Sequence, residues 1–281
     1  MLSIRSVVTQ SKKIAFASSL ALLFTSLPFT SSTKAQEWAD LQLTFVYDAA
    51  AAPARGTVDM SRDPACVQGH PTPPLSEELI VDSATKGIMN IAFYTDTKKS
   101  GLEAKDVHPD LAKPPAKPVA LDNNKCVFNP HVFAVQPGQS INVLNSDQTG
   151  HNANFGFFSN NAINVTIPVG GSKEIKVDKG ERAPTPVMCN IHPWMTAHIL
   201  IFDLPYAGVS DAKGVLKIEK LPAGKPITFK VWHENMDKSI DQVTFGGKEV
   251  AWTKGNVELT LKPGMNDLGV VKIKPDEFKN K

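Results

Sequence analysis

The chain has 281 residues, 42% of them hydrophobic and 21% charged, with a formal net charge of +2. That length holds one large all-β domain or two ordinary domains with real cores. A nearly neutral chain without a basic cluster gives no reason to propose nucleic acid as a partner.

At the start, Arg5, Lys12 and Lys13 precede an apolar run from Ile14 to Phe29 and small residues at Thr33 and Ala35. This is the layout of a secretory signal peptide over residues 1–35, with cleavage after Ala35. Ser18, Ser19, Thr25, Ser26 and Pro28 interrupt the run, so it is too polar and too short for a membrane anchor. The expected mature protein is periplasmic or extracellular, has no membrane span, and is slightly negative once Arg5, Lys12, Lys13 and Lys34 are removed.

The remaining chain reads as all-β, because its periodic signals are short alternating runs bounded by Gly, Pro, Asn and Asp. Strands are expected at Leu41–Tyr47, Glu78–Val81, Ile88–Thr95, Cys126–Val135, Ser140–Asn145, Ile163–Val165, Lys173–Val177, Pro186–Asn190 and Ala197–Phe202. Lys98 to Pro118 is rich in Lys, Pro and Asp and reads as an exposed insertion, with a turn of helix at Leu102 to Lys105. A domain boundary is expected at Asp203 to Tyr206, dividing 36–203 from 204–281. Beyond it, Gly214, Gly224, Gly246, Gly247 and Gly264 frame the runs Val215–Ile218, Ile227–Trp232, Val257–Leu261 and Leu268–Ile273, which suit a smaller β-sandwich.

An exported chain meets an oxidising compartment, where thiols pair unless something occupies them. Cys66 and Cys126 sit in similar loops beside apolar strands and are expected to form a disulfide. Cys189 is then left over, which suggests that it is buried or bound to a metal. It opens the segment Cys189-Asn190-Ile191-His192-Pro193-Trp194-Met195, which sets a thiolate, an imidazole and a thioether on one tight loop. A His2Cys set with a weak axial Met is the ligand field of a blue-copper electron-transfer site. The missing imidazole is expected from His151, which follows the strand Ile141 to Asn145 and a polar turn. Asn152 is expected to hydrogen-bond the ligand loop and approach the Cys189 sulfur.

These residues resemble the cupredoxins. The segment Phe128-x-Pro130-x-x-Phe133-x-Val135-x-Pro137-Gly138-Gln139-x-Ile141-x-Val143-x-Asn145-x-Asp147-x-x-x-His151-Asn152 is similar to their strand, Gly turn, strand and first-histidine pattern. The loop Cys189 to Met195 resembles the short ligand loop of amicyanin and plastocyanin-like proteins, and the likeness covers about residues 120–203. It implies a Greek-key cupredoxin sandwich that holds one type 1 copper ion at His151, Cys189, His192 and Met195. It also implies single-electron exchange with redox proteins such as a c-type cytochrome or a periplasmic dehydrogenase. His192 would present an edge near the surface, with Pro193 and Trp194 in the docking patch. The segment from Tyr206, with Asp211-x-x-Gly214, Leu221-Pro222-Ala223-Gly224 and Phe229-x-Val231-Trp232, resembles the transthyretin-like, carboxypeptidase-regulatory-like sandwiches, which support or bind without catalysing.

The other histidines invite plainer readings. His131 at a strand start reads as structural, and His198, facing opposite to Ala197 and Ile199, as a surface or second-layer residue. His70 and His108 read as solvated, and His233 beside Trp232 and Glu234 as structural, with a ligand role in the second module as its alternative. Asn164-Val165-Thr166 matches a glycosylation acceptor, a pattern frequent by chance. No GxSxG, P-loop or zinc-protease motif is present, and no His-x-His pairs of an oxidase, so no enzyme activity is expected. The competing functions are copper delivery, which would favour a Met-rich tract that the chain lacks, and a non-catalytic structural sandwich.

Overall fold

The computed structural model describes residues 35–95 and 98–279, so the leader expected over 1–35 falls outside it but for Ala35. The chain forms β1 (Trp38–Tyr47), a short helix α1 (Pro64–Gln68) and β2 (Ala92–Thr95). It continues through β3 (Val119–Asn124), β4 (Val127–Asn129), β5 (Val132–Val135), β6 (Ser140–Asn145), β7 (His151–Phe155), β8 (Ile163–Ile167), β9 (Ser172–Lys176), β10 (Thr185–Met188) and β11 (Thr196–Ile201). The last third contains β12 (Ala207–Val209), β13 (Val215–Pro222), β14 (Pro226–Trp232), β15 (Gln242–Phe245), β16 (Lys248–Ala251), β17 (Asn256–Thr260) and β18 (Gly264–Ile273).

Four sheets make two sandwiches. In the first, sheet β5-β11-β10-β7-β8 faces sheet β4-β3-β6-β9. The chain crosses between them repeatedly, and long connections return β11 parallel to β5 and β6 parallel to β3, the Greek-key manner of building a sandwich. Its core includes Leu121, Phe128, Ile141, Val143, Phe155, Val187, Ala197 and Ile199. The strand expected over Cys126–Val135 is broken at Pro130, which has no N–H for a ladder, and its halves belong to different sheets.

In the second sandwich, sheet β13-β1-β18-β15-β16 faces sheet β12-β2-β14-β17. β1 shows why it belongs there: Ala39, Leu41, Leu43, Phe45 and Tyr47 alternate inward with half-exposed neighbours, the period of a strand with one buried face. Burying each of the four large ones is worth about 2 kcal/mol. β1 pairs with β13 and β18, and β2 with β12 and β14. The expected division at 203/204 therefore differs from the pairing. Residues 38–47 and 92–95 complete the sandwich of residues 207–273, which is not the smaller of the two, and the first sandwich is inserted between β2 and β12. Where the chain closes this sandwich, Gly214 is irreplaceable: its φ is +79°, and a Cβ would stand 2.2 Å from the Phe45 carbonyl oxygen.

Other expectations shift for local reasons. Glu78–Val81 makes only an isolated bridge, Val81 with Ile88. The 98–118 loop holds two 3-10 turns, and it is anchored: the Tyr206 hydroxyl donates to the Asp106 carbonyl and accepts from the His108 N–H. β15 and β16 were not expected as strands, although their Gly246-Gly247 turn, with φ of +57° and +76°, is the hairpin signal. Between the sandwiches lies a third apolar cluster of Ala92, Tyr94, Val132, Leu200 and Phe202. Among the described residues no helix is long and apolar enough to cross a membrane.

Candidate metal centre

The end of the first sandwich gathers side chains from two places in the sequence. His151 begins β7 and is fully buried, while Cys189, His192 and Met195 lie on the loop between β10 and β11, each 1% exposed. β7 and β10 are paired neighbours, so the register that sets Met188 against Asn154 brings the loop over His151. Two backbone bonds close the loop: Cys189 N–H donates to the Met195 carbonyl at 3.1 Å and Met195 N–H to the His192 carbonyl at 2.9 Å.

Both imidazoles turn Nδ1 toward the sulfur. Cys189 Sγ lies 3.7 Å from His192 Nδ1 and 4.0 Å from His151 Nδ1, and the two nitrogens are 2.9 Å apart. A metal about 2.0–2.3 Å from each donor would set nitrogens roughly 3.3 Å apart and sulfur roughly 3.7 Å from nitrogen. The cage fits such an ion once the imidazoles part by a few tenths of an ångström, and a soft sulfur beside two imidazoles suits copper.

Each imidazole's outer nitrogen meets a carboxylate. His151 Nε2 is 2.9 Å from Asp147 Oδ2, and His192 Nε2 is 2.8 Å from Asp63 Oδ2. A carboxylate only accepts, so Nε2 carries a proton in each ring, and Nδ1 is the nitrogen left to face the sulfur. Both carboxylates are themselves held. Asp63 caps α1, accepting from Ala65 and Cys66 N–H, and receives the Thr149 hydroxyl. Asp147 accepts from Lys125 and Cys126 N–H at 2.5 and 2.8 Å. Its bond to His192, above all, holds the Asp63 carboxyl below the usual range. Burial opposes the same effect at Asp147, where His151 and the two N–H groups outweigh it.

Burial alone would raise the Cys189 thiol, but His151 and backbone N–H groups of the loop bring it down to about 6. At His151 burial is likewise outweighed, by Asp147 and Cys189, and the imidazole rises to about 9. Near neutral pH the pair is a thiolate facing an imidazolium. A cation taken up there displaces the His151 proton, so uptake weakens as pH falls below that value.

Asn152 Oδ1 accepts from Asn190 N–H at 2.8 Å and Ile191 N–H at 3.3 Å, and lies 3.5 Å from Cys189 Sγ. Its Nδ2 donates to Asn164 Oδ1 at 2.7 Å. Cys66 and Cys126 form a disulfide that ties α1 to the β3–β4 turn. Trp194 is half-buried, its Nε1 donating to the Cys126 carbonyl, whereas Pro193 is exposed and Ile191 is 53% exposed. The expected surface edge of His192 is absent, because the segment before β2 lays Asp63 across it.

His233 is buried with Nε2 at 3.2 Å from the Met89 carbonyl, and burial pushes it down to about 4, so it is a neutral structural group. His70 lies on the Lys125 carbonyl, and His108 caps a 3-10 turn. His131 and His198, by contrast, converge on Glu234.

No protein-family model matches the chain. No curated protein matches it either. Among solved structures it is similar to a copper-containing nitrite reductase from Thermus scotoductus SA-01, at 21% identity over 34% of this chain and 27% of that one, with a TM-score of 0.30. The chain thus spans about a quarter of the reductase's length. It is also similar to amicyanin from Paracoccus versutus, at 17% identity over 39% of this chain and 96% of that one, TM-score 0.28. A purple cupredoxin from Nitrosopumilus maritimus matches at 16% identity over 30% and 98%, TM-score 0.25.

Asp63 and Asp147 had no assigned role in the sequence reading. Asp147 stood inside the quoted motif, and Asp63-Pro64 carried the pattern of an N-cap followed by proline. Asp63→Asn keeps the cap, since Asn is as good there as Asp, but removes the charge facing His192. Cu(II) affinity, read by competition with a chromophoric chelator, is expected to fall 10- to 100-fold with little change in melting temperature. An unchanged affinity would strip Asp63 of any part in the centre.

Proposed function

We propose that the chain is an exported electron carrier that holds one type 1 copper ion between His151, Cys189, His192 and Met195. The observation that carries this reading is the buried convergence of one thiolate sulfur with two Nδ1 atoms, each imidazole fixed by its own carboxylate. Copper bound there would supply a one-electron couple in a site whose soft and borderline donors suit both oxidation states. The chain's own contribution is rigidity and dryness. The closed loop, the disulfide and Trp194 hold the donors, and the covering of His192 keeps water out.

Copper delivery is the weaker reading, because ligands 0–1% exposed behind a disulfide-pinned strap do not favour rapid release. Ile191 and Pro193 are exposed apolar residues on either side of His192 in the ligand loop, and they are the proposed docking point for a redox protein such as a c-type cytochrome or a periplasmic dehydrogenase. The second sandwich, transthyretin-like in its turn pattern, is assigned a supporting role without catalysis.

The test is the visible and electron paramagnetic resonance spectrum of the full-length mature chain after addition of Cu(II). An intense band near roughly 600 nm with narrow copper hyperfine splitting is expected from a thiolate-bound copper of this ligand set. A folded, copper-loaded protein without that band would overturn the electron-carrier reading.

A further inference from the structure

A second cluster lies on the outer face of the first sandwich. His198 stands on β11 between Ala197 and Ile199, which point into the core, so its side chain leaves on the opposite face toward the second sandwich. His131 precedes β5, and its carbonyl accepts the His198 N–H at 2.7 Å, which fixes the two imidazoles side by side. Glu234, two residues past β14, reaches across from the other sandwich. One oxygen contacts His131 Nε2, and the other lies 3.6 Å from His198 Nδ1. From the segment before β2, Glu77 approaches the far side of His131, with Oε2 at 3.6 Å from Nδ1.

The side chains of His131 and Glu234 are 4% and 10% exposed, and that of His198 16%. Yet His131 Nδ1 and His198 Nδ1 are both buried nitrogens with no hydrogen-bond partner. Buried polar atoms are rarely left unmatched; Glu77 stands by to answer His131 Nδ1, whereas His198 Nδ1 has only a Glu234 oxygen at 3.6 Å, outside hydrogen-bond reach, which points to a missing group between them. One donor atom from each of His131, His198 and Glu234 lies within 4.8 Å of the others.

We infer that His131 Nε2, His198 Nδ1 and Glu234 form a second metal centre for a divalent ion of the zinc class, separate from the cysteine-containing one. Two imidazoles and a carboxylate are borderline-to-hard donors that suit Zn(II) and disfavour Cu(I), which prefers sulfur. Glu77 accepts the His131 Nδ1 proton, the same carboxylate–imidazole device that orients His151 and His192. Uptake requires His131 Nε2 and Glu234 Oε1 to separate to roughly 3.2 Å, a rotation within reach of a glutamate side chain. A cation then balances the Glu77 and Glu234 charges with both imidazoles neutral. It joins ligands from both sandwiches at the edge of their shared apolar cluster, and His198 is three strand residues past Met195, about 10 Å along β11.

Zinc alone is the probe, added to the full-length chain with and without prior copper loading, and metal content is read by mass spectrometry after desalting. The expected result is one zinc per copper-loaded chain and a rise in melting temperature. That zinc remains in Cys189→Ser, and falls to under a tenth in Glu234→Gln and in His198→Gln while their copper content is unchanged. Glu77→Gln is expected to weaken zinc about tenfold. A copper-loaded chain that retains no zinc overturns the inference. So does zinc that survives in both Glu234→Gln and His198→Gln, or that is lost in Cys189→Ser alone, since it would then occupy the cysteine centre. Because the zinc readout does not depend on colour, it stands apart from the success or failure of the electron-carrier reading.

Discussion

Cys189→Ser is expected to abolish the band near roughly 600 nm completely, because that absorption belongs to a thiolate–copper bond. The sulfur is one corner of the donor set, 3.7 and 4.0 Å from the two Nδ1 atoms, and its thiol is brought down to about 6 by His151 and neighbouring N–H groups. A serine hydroxyl is close in size but stays neutral, so the two imidazoles and Met195 are left to hold the ion without an anionic partner. Copper bound by the variant should show only a weak absorption and wide hyperfine splitting. Its stabilisation by copper should shrink accordingly, since a ligand that binds the native state raises stability by RT ln(1 + [L]/Kd). The measurement pairs spectra with thermal melts in the presence and absence of copper. A variant that keeps the intense band would show that Cys189 is not a ligand.

The second large effect is expected from the double substitution Cys66→Ser with Cys126→Ser. The bond spans 60 residues, and releasing that loop in the unfolded chain costs about 4 kcal/mol of stability in the chain-entropy picture. For a protein of this size that is roughly 8–16 °C in melting temperature. The consequence reaches the metal centre by two routes. Cys66 belongs to the helix that Asp63 caps, and Cys126 supplies both an N–H to Asp147 and a carbonyl to Trp194. One covalent link therefore clamps both carboxylates that fix the imidazoles, and copper affinity is expected to fall along with stability. A melting shift below about 2 °C with unchanged affinity would mean that the strap holds its place without the bond.

The sequence made the all-β class legible because β1, β6 and β14 alternate cleanly, and inward positions on one face leave no other period to choose. The ligand loop was equally readable, since its donors fall within seven consecutive positions. What escaped was carried by distant chain segments. β7 went unrecognised because His151, Asn152 and Asn154 break the apolar alternation, although all but one residue of that strand is buried. The neighbours of β1 leave no local mark either, since its partners β13 and β18 lie some 170 to 226 positions away. The expected exposure of His192 failed for a similar reason: Asp63 covers it from a sequence separation of 129. His131 and His198 each read as bland alone, and only the fold sets them against Glu234.

The order of strands has a further bearing on how the molecule is made. β1 lies between β13 and β18, and the latter pairing is parallel and spans nearly the whole described chain. In chain order β3 to β11 are complete before either partner of β1 emerges, so the metal-site sandwich can finish while its host is still incomplete. The host then closes around a finished guest, with β12 joining β2 as the first seam and β18 beside β1 as the last. Until that final strand arrives, the side of β1 that β18 covers is an open edge, and chains interrupted before β18 should be the ones that aggregate.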